Sequence, residues 1–377
     1  MKISNSRKKV CILTSVHPVF DDRIFHREAK TLAKAGYDVT LIAQHNKEEV
    51  VSGVKVVPLP KPRSRLERMT RVVWKLLRLA LKEKADIYHF HDPELIPIGL
   101  VLKLFGKKVT YDVHELVYFQ IEDKYWLKFQ LTKRLIQWVY LLFEKISIKF
   151  FDQLILAEDS YESYFTQRYK NFKRYTIIRN FPILELIDKT KPVNINKQRS
   201  IIIYAGGLSK IRGIKEIIQA MEFIGGKAEL WLLGKWESEE FKKECESLKG
   251  WKSTKYLGSK PLKEVYSYMK VADIGISILY PVKNYVAGLP VKAFEYMACS
   301  LPMVMSNFPY WKEIFGECAL FVNPYDPKDI AEKILYLLNN PDKAKKLGNK
   351  GRRLVEEKYN WEIESKKLLE VYKKLLQ

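Results

Sequence analysis

One stretch constrains this chain more than any other: the run from Val271 to Leu279, the loop after it broken at Pro281, Gly288 and Pro290, and the helical pattern from Val291 to Cys299. Asp273 and Ser277 are the only polar residues of the run, and a short, almost continuous apolar segment flanked by turn signals reads as a strand buried on both faces. Val291, Phe294 and Met297/Ala298 then recur at helical spacing, which leaves Lys292, Glu295 and Tyr296 partly on other faces. Met303 to Met305 reads as the next strand. A glycine- and proline-rich loop feeding a helix N-terminus at the carboxyl end of a buried strand is where open α/β sheets bind anions, because unpaired backbone N–H groups and the helix dipole converge there. Lys292, in the first turn, adds a formal charge to that field.

The 377 residues suggest two or three domains at about 150 residues each, every one able to bury a core. Apolar and charged fractions of 47% and 29% are globular values. Cys11, Cys245, Cys299 and Cys318 lie far apart, without metal-ligand spacing, and read as reduced core thiols of a cytoplasmic protein. The apolar run near the N-terminus is too short for a signal peptide, and no segment approaches the roughly 20 apolar residues needed to cross a bilayer. A formal charge of +22, spread through both halves, favours anionic partners: nucleic acid, nucleotide phosphates or an anionic membrane surface.

In the first half, Val10 to Thr14 reads as the first strand, a helix follows from about Phe25 to Ala35 with Gly36 as its cap, and Tyr37 to Ala43 gives the second strand. The intervening loop holds His17, Asp21, Asp22, Arg23 and His26 at the carboxyl end of strand one, a cleft position, although either aspartate could simply cap the helix. Arg63 to Lys84 has Leu66, Met69, Val72/Val73, Leu76/Leu77 and Leu79/Ala80 on one side and basic residues on the other, so it either packs on the sheet or lies on an anionic membrane. Strands at Ala85 to Phe90 and Lys108 to Val113 end in His91-Asp92-Pro93-Glu94 and His114-Glu115. Histidine and carboxylate are costly to bury without partners, so both strand ends read as cleft residues.

Tyr118 to Phe151 mixes Trp126, Phe129, Trp138, Tyr140 and Phe143 with Lys124, Lys128, Lys133, Arg134, Lys145 and Lys149. Aromatic anchors beside basic contacts suit a helix entering lipid headgroups; a long core helix is the alternative. The same mixture suits single-stranded nucleic acid, but no RNA-binding motif or repeat supports that partner.

Residues 1–183 thus read as one Rossmann-like domain, 184–199 as a polar linker, and 200–360 as a second such domain. The second domain opens with a strand from Ser200, the Gly206-Gly207 turn, Lys210 and Arg212, and a helix; paired glycines let backbone amides approach a phosphate closely.

The pattern N…G-L-P-x-K-x-F-E-Y-M-A-x-x-x-P-M-V resembles the nucleotide-sugar loop of glycosyltransferase family 4. The H-P-x-x-D-x-R-I opening, D-x-x-H-x-H-D at Asp86 to Asp92, Y-D-x-H-E at Tyr111 to Glu115, the N-x-P at Asn180 to Pro182 and N-W-E at Asn360 to Glu362 resemble the same family, in its surface-polysaccharide branch. The resemblance implies a GT-B fold, two Rossmann-like domains facing a cleft, with residues 361–377 as a helix crossing back to the first domain. It implies a retaining, metal-independent transfer from a nucleoside-diphosphate sugar, a co-substrate rather than a cofactor, to a glycan or lipid-linked saccharide. The enzyme would sit on the inner face of the cell membrane.

By the same resemblance Gly206, Gly207, Lys210, Arg212, Gly288, Leu289, Pro290, Lys292 and Glu295 hold the donor, with Glu295 on the ribose hydroxyls. His114 approaches the donor sugar, and His17, Asp22, Arg23, His91, Asp92 and Glu115 line the acceptor side. With no assigned protein nucleophile, the chemical task is to stabilise charge on the leaving diphosphate, which falls to Arg212 and Lys292. The chain departs from the family at two places: Ala287 stands where many members have a further glutamate, and Gly207 where they have an arginine. A nucleotide-sugar epimerase of related fold, or a decayed enzyme that binds membranes or nucleic acid, are the alternatives.

Overall fold

The computed structural model describes residues 7–122, 130–169, 172–282 and 286–377. Lys124, Trp126, Lys128 and Phe129 of the aromatic stretch, and Asn284 of the donor loop, lie outside the described residues. The chain forms two compact units, one comprising the residues up to Asn180 together with Glu364–Gln377, the other Phe181–Ile363.

The first unit is built on an eight-stranded sheet. Its strands are β1 (Lys9–Pro18), β2 (Asp38–Gln44), β3 (Glu49–Val51), β4 (Val54–Leu59), β5 (Ile87–Phe90), β6 (Lys108–Val113), β7 (Gln153–Leu156) and β8 (Tyr175–Ile177). They lie in the order β3-β4-β2-β1-β5-β6-β7-β8, parallel except for β3. The order reverses between β1 and β5, so the loops leaving these two strands diverge and open a crevice at their carboxyl ends. Sequence reading missed β3 and β4, which are joined by a tight turn in which Ser52 and Gly53 both have positive φ. β1 also runs further than Thr14, rejoining β2 at Pro18 opposite Gln44 after a register shift.

The helix after β1 starts at Asp22, three residues earlier than the periodicity suggested. Asp21 caps it, accepting from the backbone N–H of Arg23 at 2.9 Å and Ile24 at 3.0 Å. In the basic segment only the second half packs on the sheet: Val72, Val73, Leu76, Leu77 and Ala80 are buried, whereas Leu66 and Met69 are exposed.

The second unit holds a six-stranded, all-parallel sheet. Its strands are β9 (Ser200–Ala205), β10 (Ala228–Leu233), β11 (Thr254–Gly258), β12 (Ile274–Ser277), β13 (Met303–Ser306) and β14 (Ala319–Val322), in the order β11-β10-β9-β12-β13-β14. Here the reversal falls between β9 and β12, the strand within Val271 to Leu279. Residues 184–199 are not a free linker. They contain the helix Leu184–Lys189, whose Ile187 is fully buried in the core of this unit, and Val193 donates its N–H to the Ser267 carbonyl. Apolar side chains spaced one turn apart in a polar segment were enough to dock it.

The last helix, Trp361–Leu376, passes from one unit to the other: its portion from Glu364 onward belongs to the first unit, where the buried Tyr372 hydroxyl lies 2.8 Å from His89 Nδ1. Cys11, Cys245 and Cys318 are buried and Cys299 half-buried, all as free thiols; burial pushes Cys245, Cys299 and Cys318 up to about 12.

Candidate functional site

In the second unit, the residues expected to hold the donor gather around the carboxyl end of β9. Tyr296, on the helix Val291–Ala298, fixes the geometry: its hydroxyl accepts from Ala205 N–H at 3.1 Å and lies 3.2 Å and 3.3 Å from the carbonyls of Ile203 and Ile276. One buried phenol thus pins β9, β12 and the helix together where the sheet order reverses. Its ring lies so close to β12 that a Cβ on Gly275 would be 2.5 Å from it. Sequence reading put Tyr296 on a secondary face; the signal lay in the glycine opposite, which makes room for the ring.

With this helix fixed, Lys292 extends back over the Tyr204 ring, Nζ 3.7 Å from its centroid, towards Gly206. Gly206 has φ +142, and a Cβ there would meet Lys292 Nζ at 2.9 Å and Arg212 Nη1 at 3.4 Å. Two basic side chains therefore face the backbone of the glycine turn. Desolvation, with the Arg212 charge adding to it and Glu295 opposing, holds the Lys292 amine well below the usual lysine range. Lys292 as a whole keeps some exposure, so it is the amine end that is enclosed. An arriving dianion would find an amine that gains by taking up a proton.

Glu295 lies three residues after Lys292 and so shares its side of the helix. The Tyr266 hydroxyl donates to Glu295 Oε1 at 3.0 Å, an orienting contact that sequence reading missed. Gly288, Leu289 and Pro290 are half-buried, and Trp311 Nε1 donates to the Gly288 carbonyl at 2.8 Å, anchoring the end of the donor loop. Gly207 is exposed beside Arg212. Lys210 does not join the cluster: it is exposed, its amine 3.4 Å from Glu244. The short turn Lys210–Arg212 points its two cations in different directions, which spacing alone does not reveal.

In the first unit the expected acceptor residues separate into a surface layer and a buried layer. His17, Asp22, His114 and Glu115 keep exposure at the carboxyl ends of β1 and β6. His17 Nδ1 lies 3.4 Å from Asp21 and Nε2 3.6 Å from Asp92. Burial alone would lower the His17 pKa, but these carboxylates outweigh it and raise it; burial likewise opposes, and the His17 and backbone contacts overcome, so that Asp21 falls to about 2.

Arg23, His91 and Asp92, expected to face a cleft, are only 4%, 2% and 2% exposed. Arg23 makes a bidentate pair with Asp112, at 3.1 Å and 2.8 Å from Nη2, and donates from Nη1 to the Ile178 carbonyl and Asn180. Asp92 accepts from the Thr14 hydroxyl at 2.9 Å and from the backbone N–H groups of Ser15 and Val16 in β1. The cost of burying such groups is met by partners supplied from β1, β6 and the segment after β8, so they brace the strand ends that carry His17 and His114. Glu28, whose burial was not anticipated, belongs to the same layer.

Two α/β units, each with its polar residues at the reversal point of its sheet and one with cations around a glycine turn, define a two-domain protein built to receive an anionic group. Residues 22–180 match the family described as glycosyl transferase 4-like domain, and residues 187–354 match glycosyl transferases group 1. The chain belongs to the glycosyltransferases, carrying both domains of the family that the sequence resembles. Among curated relatives, the capsular polysaccharide biosynthesis glycosyltransferase CapM of Staphylococcus aureus is 26% identical over 181 residues, 47% of this chain and 46% of that protein. The chain spans less than half the length of the curated relatives it matches. Among solved structures, sucrose-phosphate synthase from Thermosynechococcus elongatus superposes with a TM-score of 0.77 at 19% identity, over 98% of this chain and 99% of that one. HepE of Anabaena in complex with UDP-glucose superposes at 0.72 with 14% identity, over 97% and 99%. At such identities the two structures establish the fold.

Proposed function

We propose that this protein is a retaining glycosyltransferase that moves a sugar from a nucleoside-diphosphate donor to a hydroxyl of a lipid-linked glycan in surface polysaccharide assembly. The observation that carries the reading is the convergence of Lys292 Nζ and Arg212 Nη1 on Gly206 at the end of β9. Preorganised cations beside a backbone that admits close approach stabilise charge developing on a departing diphosphate. Glu295, oriented by Tyr266, accepts from the ribose hydroxyls, and His114 faces the sugar. Arg212 and Lys292 supply the positive charge, so the transfer proceeds without a metal. HepE, of the same fold, binds UDP-glucose, and CapM is a capsular polysaccharide glycosyltransferase; both support the reading.

Docking on the anionic inner face of the cell membrane completes it, and nucleic acid is not a partner. The helix Gln130–Ser147 is inside out: its buried residues are Gln137, Glu144 and Ser147, while Leu131, Leu135, Trp138, Val139, Leu142 and Ile146 are exposed. Buried Glu144 accepts from the Tyr140 and Tyr164 hydroxyls, each at 2.9 Å, and from Tyr169. An apolar outer face with Lys133, Arg134, Lys145 and Lys149 on or beside it suits a surface that is apolar inside and anionic at its rim. Among the described residues no helix is long and apolar enough to cross a membrane.

The test is a panel of UDP- and GDP-sugars, each offered with and without a lipid-linked saccharide, with anomeric configuration read by NMR. Acceptor-dependent transfer with retained configuration is expected; sugar isomerisation without acceptor would make the protein an epimerase. In parallel, vesicles should sediment the protein only when they carry anionic lipid. Trp138→Ser together with Arg134→Gln should release it, and equal sedimentation by neutral vesicles would refute membrane docking.

A further inference from the structure

Beneath His114 lies a fully buried cluster of Glu28, His89, His91 and Asp112, with ligand-type atoms of all four within 4.8 Å of one another. Both Glu28 oxygens and the Nε2 atoms of His89 and His91 are buried and make no hydrogen bond of normal geometry. Arg23 Nε is 3.1 Å from Glu28 Oε1, but it directs its N–H to Asp112 Oδ2. An ionised, undonated carboxylate at zero exposure is a costly state, and burial beside the Asp112 carboxylate pushes Glu28 well above the usual carboxylate range.

Placing a proton on Glu28 resolves the cluster in one direction only. Asp112 is anchored as a carboxylate by Arg23, so every group within hydrogen-bond reach of it must donate; His91 Nδ1, 3.9 Å away, is beyond that reach. His114 Nε2 lies 3.3 Å from Asp112 Oδ1 and 3.0 Å from His91 Nδ1, and therefore carries the hydrogen. His91 Nδ1 is then the acceptor, which puts the hydrogen of this neutral ring on Nε2, 3.5 Å from Glu28 Oε2, at the outer limit of a hydrogen bond. A proton on Glu28 would have the Asp112 carboxylate, within 4.8 Å, as its acceptor. His89 follows the same rule, with Nε2 3.5 Å from Asp112 Oδ2 and Nδ1 2.8 Å from the Tyr372 hydroxyl. The reverse order would set a lone pair on His114 Nε2 against the Asp112 carboxylate.

We infer that Glu28, as a neutral acid, and His91 are positioning residues that hold His114 as its Nε2–H tautomer, so that His114 offers substrate a lone pair on Nδ1 and accepts a hydrogen bond from a sugar hydroxyl. The inference deepens the proposed function, since it takes His114 to face the sugar. It also gives Glu28→Gln a distinctive meaning, because an amide accepts from His91 and donates to Asp112 as the neutral acid does.

The experiment is 15N NMR of histidine-labelled protein, with His114 assigned from a His114→Gln variant. Wild type and Glu28→Gln are expected to show the same Nε2–H tautomer and similar melting temperatures. His91→Phe should shift the His114 tautomer ratio roughly three- to tenfold towards Nδ1–H, the range one neutral hydrogen bond supports. In the transfer assay His91→Phe should lower kcat with the donor KM nearly unchanged. A dominant Nδ1–H His114 in wild type overturns the inference. So does a Glu28→Gln variant displaced as far as His91→Phe, or a stoichiometric metal found by elemental analysis and lost on Glu28→Gln, since either would make Glu28 a working carboxylate. Because the tautomer is read on the protein alone, failure to find sugar transfer would strike the proposed function and leave this result standing.

Discussion

Replacing Lys292 by Met should separate the charge of this side chain from its packing, because methionine puts an apolar end of similar reach where the amine lies over the Tyr204 ring. The amine lies where it would touch a Cβ on Gly206, so it faces the backbone proposed to admit the diphosphate. A hydrogen bond to a charged partner contributes about 1.5–3 kcal/mol, which corresponds to roughly 10- to 150-fold weaker UDP or GDP binding in Lys292→Met. The sign of the pH dependence follows from the depressed amine pKa. Binding a dianion raises that pKa, so the complex takes up a proton and wild-type affinity falls as pH rises, by at most about tenfold per pH unit. Titration calorimetry in buffers of different protonation enthalpy measures the uptake directly. Proton uptake should be positive in wild type and absent in Lys292→Met; equal uptake in the two proteins, or unchanged affinity in the variant, would refute the assignment of Lys292 to the diphosphate.

Glu295→Gln should weaken nucleotide binding, and Tyr266→Phe should do so to a smaller degree by freeing Glu295 to rotate; a Tyr266→Phe titration indistinguishable from wild type would show that the 3.0 Å contact does not orient it. Arg23→Met leaves Asp112 buried without its cation and should cost about 3–5 kcal/mol in urea unfolding. His17 and Asp21 stabilise the first unit most where both are charged. Asp21, held at about 2 against an ordinary 3.8, contributes fully above pH 3.8 and loses its effect as pH falls towards 2. His17, raised above 6.5, contributes fully below pH 6.5 and loses its effect as pH rises through its folded value. Melting temperature should therefore fall above pH 6.5 in wild type more than in His17→Ala.

Local sequence determined the strands, turns and helices that bear the residues proposed to hold the donor. Val271 to Leu279, the Gly206-Gly207 turn and the Lys292/Glu295 spacing are local signals, and a phosphate-binding turn depends on backbone geometry that a few consecutive residues dictate. The short strands β3 and β4 escaped notice because alternation over so few residues is weak.

Tertiary structure alone decided which polar residues work at the surface and which are buried supports. Arg23, His91 and Asp92 look like His17 and His114 in sequence. What separates them is whether Asp112, Glu28 and the amides of β1, from parts of the chain up to 89 residues away, can satisfy a buried polar group. The same holds for the helix Gln130–Ser147, whose sequence reads equally as core or as membrane face. Only the fold shows that the Tyr140, Tyr164 and Tyr169 hydroxyls converge on Glu144, so that this carboxyl group is buried with its hydrogen bonds met while the leucines of the opposite face stay exposed.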